Sequence, residues 1–230
     1  TPSEHFNTVL YTGTGASQRI GGYINRGAVF NGSNSRVQLP DNAFTNQTSY
    51  SVSAFVNPDS VSALQTIFSA WGYDGVSEKG FMIKINASAK VEVSHWDTSS
   101  NHYTSTATIS ALTWTNITVT ATQSQIKIYI DGTLDSTHSS AGFSFNTSYP
   151  HKPSIGAYYS TSLSGYFFNG VIDQVRVFDK VLSQSEVTTL NGETHSSTTI
   201  STTDIFDDNS GQALYQLDGN ANDTGGASGR

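Results

Sequence analysis

The sequence predicts an all-β protein, a sandwich or a closed barrel, and three observations carry that reading. Short stretches with an apolar residue at every second position recur along the chain, as in YSVSAFV, KVEVSHW and QIKIYIDG; a period of two marks a strand with one buried face. Between such stretches stand the turn formers Asn31-Gly32, Asp74-Gly75, Asp131-Gly132 and Asn169-Gly170, which tolerate the positive φ that tight reversals need. Charged residues make up only 13% of the 230 residues, and the polar remainder is Ser, Thr, Asn and Gly rather than Lys and Glu. That balance favours strands and turns over helices.

In chain order the strand candidates are AVFNG, SRVQLP, YSVSAFV, GFMIKINA, KVEVSHW, TNITVTAT, QIKIYIDG, HKPSIGAYY and GVIDQVRVF. One stretch reads as a helix. In VLSQSEVTTLNGE, Ser183 caps the first turn, Glu186 three residues on completes a capping box, and Asn191-Gly192 ends the helix. Residues 194–203, THSSTTISTT, have little to bury and read as a linker. The last piece contains ALYQLDG and closes on GASGR, echoing VLYTGTGASQR at residues 9–19.

Composition excludes several functions. A formal charge of -7 argues against nucleic acid as a partner, because that affinity depends on clustered Lys and Arg. No apolar run is long enough for membrane insertion as a spanning helix. The chain has no cysteine, so the fold needs no disulfide and uses no thiolate. Low Lys with abundant Thr, Ser and Asn suits an exported, cell-surface or virion-exposed protein. The start at Thr1 without a signal sequence reads as a mature product or an excised fragment.

Five pieces, in this order and spacing, resemble the laminin G-like, concanavalin A-like lectin/glucanase superfamily over residues 27 to about 193. They are GAVFNGSNSRVQLP, SYSVSAFVNPDS, WTNITVTATQSQIKIYIDGTLDS, SIGAYY and FFNGVIDQVRVFDKVLSQSEVTTL. The resemblance implies a two-sheet antiparallel jelly-roll sandwich with one short surface helix. Modules of this kind begin with an apolar-Leu-Tyr strand, a description that fits Ala213 to Gly226 and, in shortened form, Val9 to Gly15. The expected organisation is a sandwich at 1–193, a Ser/Thr-rich linker at 194–211, and at 212–230 either the incomplete start of a repeated module in a tandem array or an extra strand of the module present. If ordered, that strand must pair with a sheet edge.

The family includes laminarinase-type glycosidases, which place two Glu on one face of one strand. The glutamates here are Glu4, Glu78, Glu92, Glu186 and Glu193, and no candidate strand holds two, so catalytic residues are not assigned. The histidines at 5, 95, 102, 138, 151 and 195 read as exposed loop residues without zinc-ligand spacing, and Asp207-Asp208 as a solvated acidic turn. The resemblance implies a possible calcium ion near the first turn and the closing strand. Carried onto this sequence, its ligands are Asn31, Ser33 and Asp173; the competing reading has Asp173 pair with Arg176 or cap a turn, and makes Asn31-Gly32 a simple hairpin.

A glycan would need aromatic faces with amides and carboxylates beside them. Candidates in apparent loops are Trp71, Tyr73 and Asp74 in SAWGYDG, Trp96, Asp97, Asn101 and Tyr103 in HWDTSSNHY, and Tyr158 and Tyr159 in GAYYSTS. The competing reading has Trp71 and Trp96 closing the ends of the core. Trp114, at the head of a strand, is expected to pack inward. Six Asn-x-Ser/Thr sequons, at Asn31, Asn46, Asn86, Asn116, Asn146 and Asn222, arise readily in such a composition. The expectation is a non-catalytic module binding a surface glycan or polysaccharide, as in an adhesin or phage fibre; a spacer contacting neighbouring modules of its array is the alternative.

Overall fold

The structure, a computed structural model, describes residues 10–12, 18–20, 22–24, 26–41, 43–44, 47–73, 78–96, 100–145, 151–159, 164–193, 205–206, 208–215 and 217. Their strands are β1 (Leu10–Thr12), β2 (Gln18–Ile20), β3 (Arg26–Asn31), β4 (Arg36–Gln38), β5 (Ser49–Pro58), β6 (Gln65–Tyr73), β7 (Glu78–Ile85), β8 (Lys90–Trp96) and β9 (Ser100–Thr108). There follow β10 (Thr115–Thr122), β11 (Gln125–Ile130), β12 (Thr133–Ser139), β13 (Ser154–Ile155), β14 (Tyr158–Tyr159), β15 (Ser164–Gly165), β16 (Asn169–Phe178), α1 (Gln184–Asn191) and β17 (Gly211–Tyr215).

They form a two-sheet antiparallel sandwich. One sheet runs β1-β4-β13-β6-β7-β8-β9 and the other β12-β11-β10-β5-β16-β3-β2, with β17 also paired to β16. Every strand stretch read from the alternation is present, while β6, β9 and β12 come from stretches with no such signal. The core lies where the alternating faces meet. Tyr50, Val52, Ala54 and Val56 of β5 oppose Phe81, Ile83 and Ile85 of β7 and Val91 and Val93 of β8, and Tyr50 stacks on Phe81 with ring centroids 3.8 Å apart.

Two devices close the sandwich. Asp131 (φ 48°) and Gly132 (φ 75°) turn β11 into β12 with both residues in the left-handed region, the backbone that Asp-Gly favours. On β12, Asp135 then accepts hydrogen bonds from Thr106 N at 2.6 Å and Ala107 N at 2.9 Å, linking the free edges of both sheets and satisfying amides that would otherwise be open to another strand. Asn169-Gly170, expected as a reversal, lies instead inside β16, opposite Asn31 and Phe30.

The helix forms as its capping residues dictate. Ser183 accepts from Glu186 N while the Glu186 side chain accepts from Ser183 N. Its apolar side, Val187 and Leu190, joins Leu182, Phe178 and Tyr129 in a second cluster covering the outer face of the eight-stranded sheet. Beside it the buried guanidinium of Arg176 makes a two-point ion pair with Glu193. The expected Asp173–Arg176 alternative is therefore replaced, because a bulge between those residues, with Gln174 at φ 48°, separates them.

That bulge divides β16 into two halves. Asn169 to Ile172 pair with β3, whereas Val175 to Phe178 pair with β17. Ala213, Tyr215 and Leu217 enter the main core. Lys180 pairs with Asp208, and Asp179 N donates to Ser210 O at 3.1 Å. The C-terminal strand thus pairs with β16, and its apolar side chains lie in the core of this sandwich. The tract 194–204 and residues 218–230 lie outside the described residues.

Candidate functional site

Side chains that alternate with the core positions of β6, β7, β8 and β9 line the outer face of the seven-stranded sheet. Register sets them in three rows across the strands. The first is Trp71, Gly80, Trp96 and Ser100; the second Ser154, Ser69, Met82, Ser94 and His102; the third Thr66, Lys84, Glu92 and Thr104.

Gly80 shapes the aromatic row. Its φ is +106°, and an added Cβ would stand 2.1 Å from Ala70 O, so glycine is required there. Without a side chain between them, Trp71 and Trp96 meet edge to face at 6.3 Å. Tyr158 crosses Trp71 at 5.0 Å, Tyr166 follows at 5.1 Å from Tyr158, and Tyr73 lies parallel to Trp71 at 6.4 Å. Trp71 is only 2% exposed; its indole Nε1–H is buried without a hydrogen-bond partner among the described residues. Trp96, Tyr73 and Tyr158 are half-buried and Tyr166 is exposed, so a deep tryptophan carries a rim of accessible rings.

Below the rim lies a charged network. Lys84 Nζ is 3.1 Å from Glu92 Oε1, and His102 Nδ1 is 3.0 Å from the same oxygen. Asn86 Nδ2 donates to Glu92 Oε2 at 3.1 Å, and Ser94 Oγ is 2.8 Å from His102 Nδ1. The ammonium is buried beneath two rings, 5.8 Å from the centroids of both Trp96 and Tyr166, within cation–π range. Burial pushes the Glu92 carboxyl up, but the Asn86 hydrogen bond and the Lys84 charge and hydrogen bond outweigh it and hold the pKa below its usual value. At the other end, burial raises Glu78; burial also raises Tyr158, helped by Tyr166 and Glu78.

The sequence-predicted residues divide. Trp71, Tyr73, Trp96 and Tyr158 come together here, on strands rather than in loops. Asn101 and Tyr103 do not, because the β8–β9 register puts them in phase with His95 and Val93, which point inward. Tyr103 packs against the core, and its hydroxyl accepts from Ala141 N at 2.9 Å. Asp74, Asp97 and the side chain of Tyr159 lie outside the described residues.

Other expectations are corrected. His95 is a buried residue, its Nε2 2.8 Å from Tyr50 Oη, with burial driving its pKa down to about 3. Trp114 does not enter the core; it meets Tyr23 at 5.9 Å, and Tyr23 stacks on Phe55 on the opposite outer face. Asn116 is buried and Asn86 is engaged by Glu92, so neither presents a free sequon.

The proposed calcium ligands are not brought together. Asn31 lies opposite Asn169 and Ala28 opposite Ile172, so Asp173 is four residues along the strand, about 13 Å away at ~3.3 Å per residue. Calcium–oxygen distances of about 2.5 Å demand far closer convergence. The Asn31 Oδ1 instead accepts from the amides of Ser33, Asn34 and Ser35, and the buried Asp173 accepts from Ile24 N and Gln174 N. The set does not fit the ion.

Lys84, Glu92, His102 and Tyr166 were missed as site residues. Their signal was positional: Lys84 and Glu92 interrupt GFMIKINA and KVEVSHW at outward positions, but only the register shows that they meet.

Residues 31–188 match the family model described as the concanavalin A-like lectin/glucanases superfamily. Among curated protein sequences, none matches this chain. Among solved structures, domain 4 of AbnA, a GH43 extracellular arabinanase from Geobacillus stearothermophilus in complex with arabinotriose, is similar with a TM-score of 0.61 and 22% identity, covering 80% of this chain and 87% of that one. The CBM40 of the Ruminococcus gnavus IT-sialidase, bound to α2,3 sialyllactose, gives 0.56 and 19%, covering 64% and 84%. At these identities the likeness speaks for the fold.

Proposed function

This chain belongs to the concanavalin A-like lectin/glucanases superfamily, and from that premise we propose that it is a non-catalytic carbohydrate-binding module acting outside the cell. The glycan-binding surface is the outer face of the seven-stranded sheet. One observation carries the reading: the accessible rings of Trp96 and Tyr166 lie against Lys84 of the Lys84–Glu92–His102 network, with Tyr158 beside Tyr166. Rings can stack on the apolar face of a sugar while nearby polar groups bond its hydroxyls. Two similar structures are carbohydrate complexes, which supports carbohydrate as the ligand class.

Hydrolysis is disfavoured by spacing. On this face Glu78 stands six residues along β7 from Lys84, the cross-strand partner of Glu92, about 20 Å at ~3.3 Å per residue. Glycosidase carboxylates lie about 5 to 9.5 Å apart. The other described glutamates, Glu186 and Glu193, are in and just after α1. No helix among the described residues is long and apolar enough to cross a membrane; display on a cell or virion surface belongs to the same proposal.

Affinity electrophoresis in polysaccharide gels tests the reading. Retardation by at least one polymer that disappears in Trp96→Ala, with the melting temperature unchanged, is expected. Migration unaffected by every polymer would leave the spacer reading, which rests on the repeated apolar-Leu-Tyr strands.

A further inference from the structure

The hydrogen-bonding balance of this face points to a sugar class, an inference that rests on the carbohydrate-binding reading. Lys84 is buried and its ammonium has one acceptor among the described residues, Glu92 Oε1. Glu92 has about four acceptor positions, of which Lys84, His102 and Asn86 occupy three. The remaining position is on Oε2.

His102 flanks the same carboxylate: its side chain is 46% exposed, and Nδ1 lies 3.0 Å from Glu92 Oε1 and 2.8 Å from Ser94 Oγ. The face therefore holds an open acceptor position, on Glu92 Oε2, beside stacking rings. The cation underneath is covered by Trp96 and Tyr166 and committed to Glu92.

From this we propose that the site takes a neutral, hydroxyl-rich sugar, one of whose O–H groups donates to Glu92, and rejects sugars bearing carboxylate or sulfate. An anionic group brings acceptors to acceptors and sets a second negative charge beside Glu92. The overall charge of -7 acts in the same direction. Glu92 is thus the specificity-determining residue, and a glutamine there keeps an oxygen for the hydroxyl while removing the repulsion.

The test is affinity electrophoresis of the native chain and Glu92→Gln at 0.15 M salt. The neutral polymers are arabinan, galactan, xylan and glucomannan; the acidic ones are polygalacturonate, alginate and hyaluronate. The native chain should bind its best neutral polymer at least about tenfold more tightly than any acidic one, a ratio expected of like-charge juxtaposition. Glu92→Gln should narrow that ratio to within about threefold. Trp96-dependent binding of an acidic polymer as tightly as any neutral one would overturn the inference and leave carbohydrate binding standing. A ratio unchanged in Glu92→Gln would overturn the role of Glu92. Binding of no polymer would defeat both the inference and the carbohydrate reading. Circular dichroism of Glu92→Gln guards against misfolding as the cause, and Lys84→Met, which keeps the carboxylate, should in its folded fraction favour neutral polymers at least as strongly as the native chain.

Discussion

Lys84 and Glu92 face each other across β7 and β8, with Nζ and Oε1 3.1 Å apart and both side chains largely removed from solvent. Removing one partner of such a pair strands the other charge, at a cost of about 3 kcal/mol. Glu92→Ala is therefore expected to lower the melting temperature by roughly 6 to 12 °C for a chain of this size. Replacing both groups, in Lys84→Met/Glu92→Leu, should recover most of that loss. Thermal denaturation of the native chain, Glu92→Ala and the double variant checks it; a loss in the double variant as large as that of Glu92→Ala would show that the two side chains do not act as a pair.

Acid should destabilise the fold from near pH 6.5 downward. Burial lowers the His95 pKa to about 3 and that of His151 to about 4. Between those values and 6.5 the unfolded chain binds protons that the folded chain excludes, so stability is full above about pH 6.5 and falls as pH drops through the window. For His95 alone the loss by pH 4 is on the order of 3 kcal/mol. Urea midpoints at pH 7, 5 and 4 measure the slope, and His95→Gln should flatten it; equal slopes in the two proteins would contradict a neutral buried imidazole.

The C-terminal strand should be as important to stability as the centre of the core. Tyr215 is buried in the same cluster as Phe81, so Tyr215→Ala and Phe81→Ala should each cost about 3 to 5 kcal/mol. Amides of 213–215 should exchange as slowly as those of β5. Rapid exchange there, with a Tyr215→Ala cost near zero, would show that the strand does not belong to this sandwich in solution.

The fold was readable where one face of a strand is apolar and the other is not, as in β5 and β8. It was unreadable in β6, QTIFSAWGY, because Trp71 fills the outer face while Phe68 and Ala70 fill the inner one, and a bulge near Thr66 and Phe68 shifts the period. In β9, SNHYTSTAT, Tyr103 is the one bulky apolar residue, so the alternation has nothing to mark. From the sequence alone, Trp71, Tyr73 and Tyr103 therefore look like loop residues. The cost was greatest for the site, since an inward Tyr103 and an outward His102 look alike until register assigns their faces. The repeated apolar-Leu-Tyr motif was visible, but the choice of sheet was not: β17 pairs with β16, whereas β1 pairs with β4 in the other sheet.

The same register argument separates two aromatics that sequence could not distinguish. Trp96 is half-buried on the outer face, edge to face with Trp71 and beside Lys84. Tyr103, the fourth residue of β9, is held against the core by its ring and by the Ala141 N hydrogen bond. Truncating Trp96 removes a stacking surface, and interface anchors of this kind contribute about 2 kcal/mol, roughly a thirtyfold loss of affinity. It should leave the melting temperature within about 3 °C, because losses at partly exposed positions are small. Tyr103→Ala should do the reverse, destabilising the sandwich while the folded fraction binds glycan normally. Calorimetric titration of a retained oligosaccharide, with a melting curve for each variant, decides it: equal affinity losses in both would mean that the aromatic row on the outer face is not where the sugar sits.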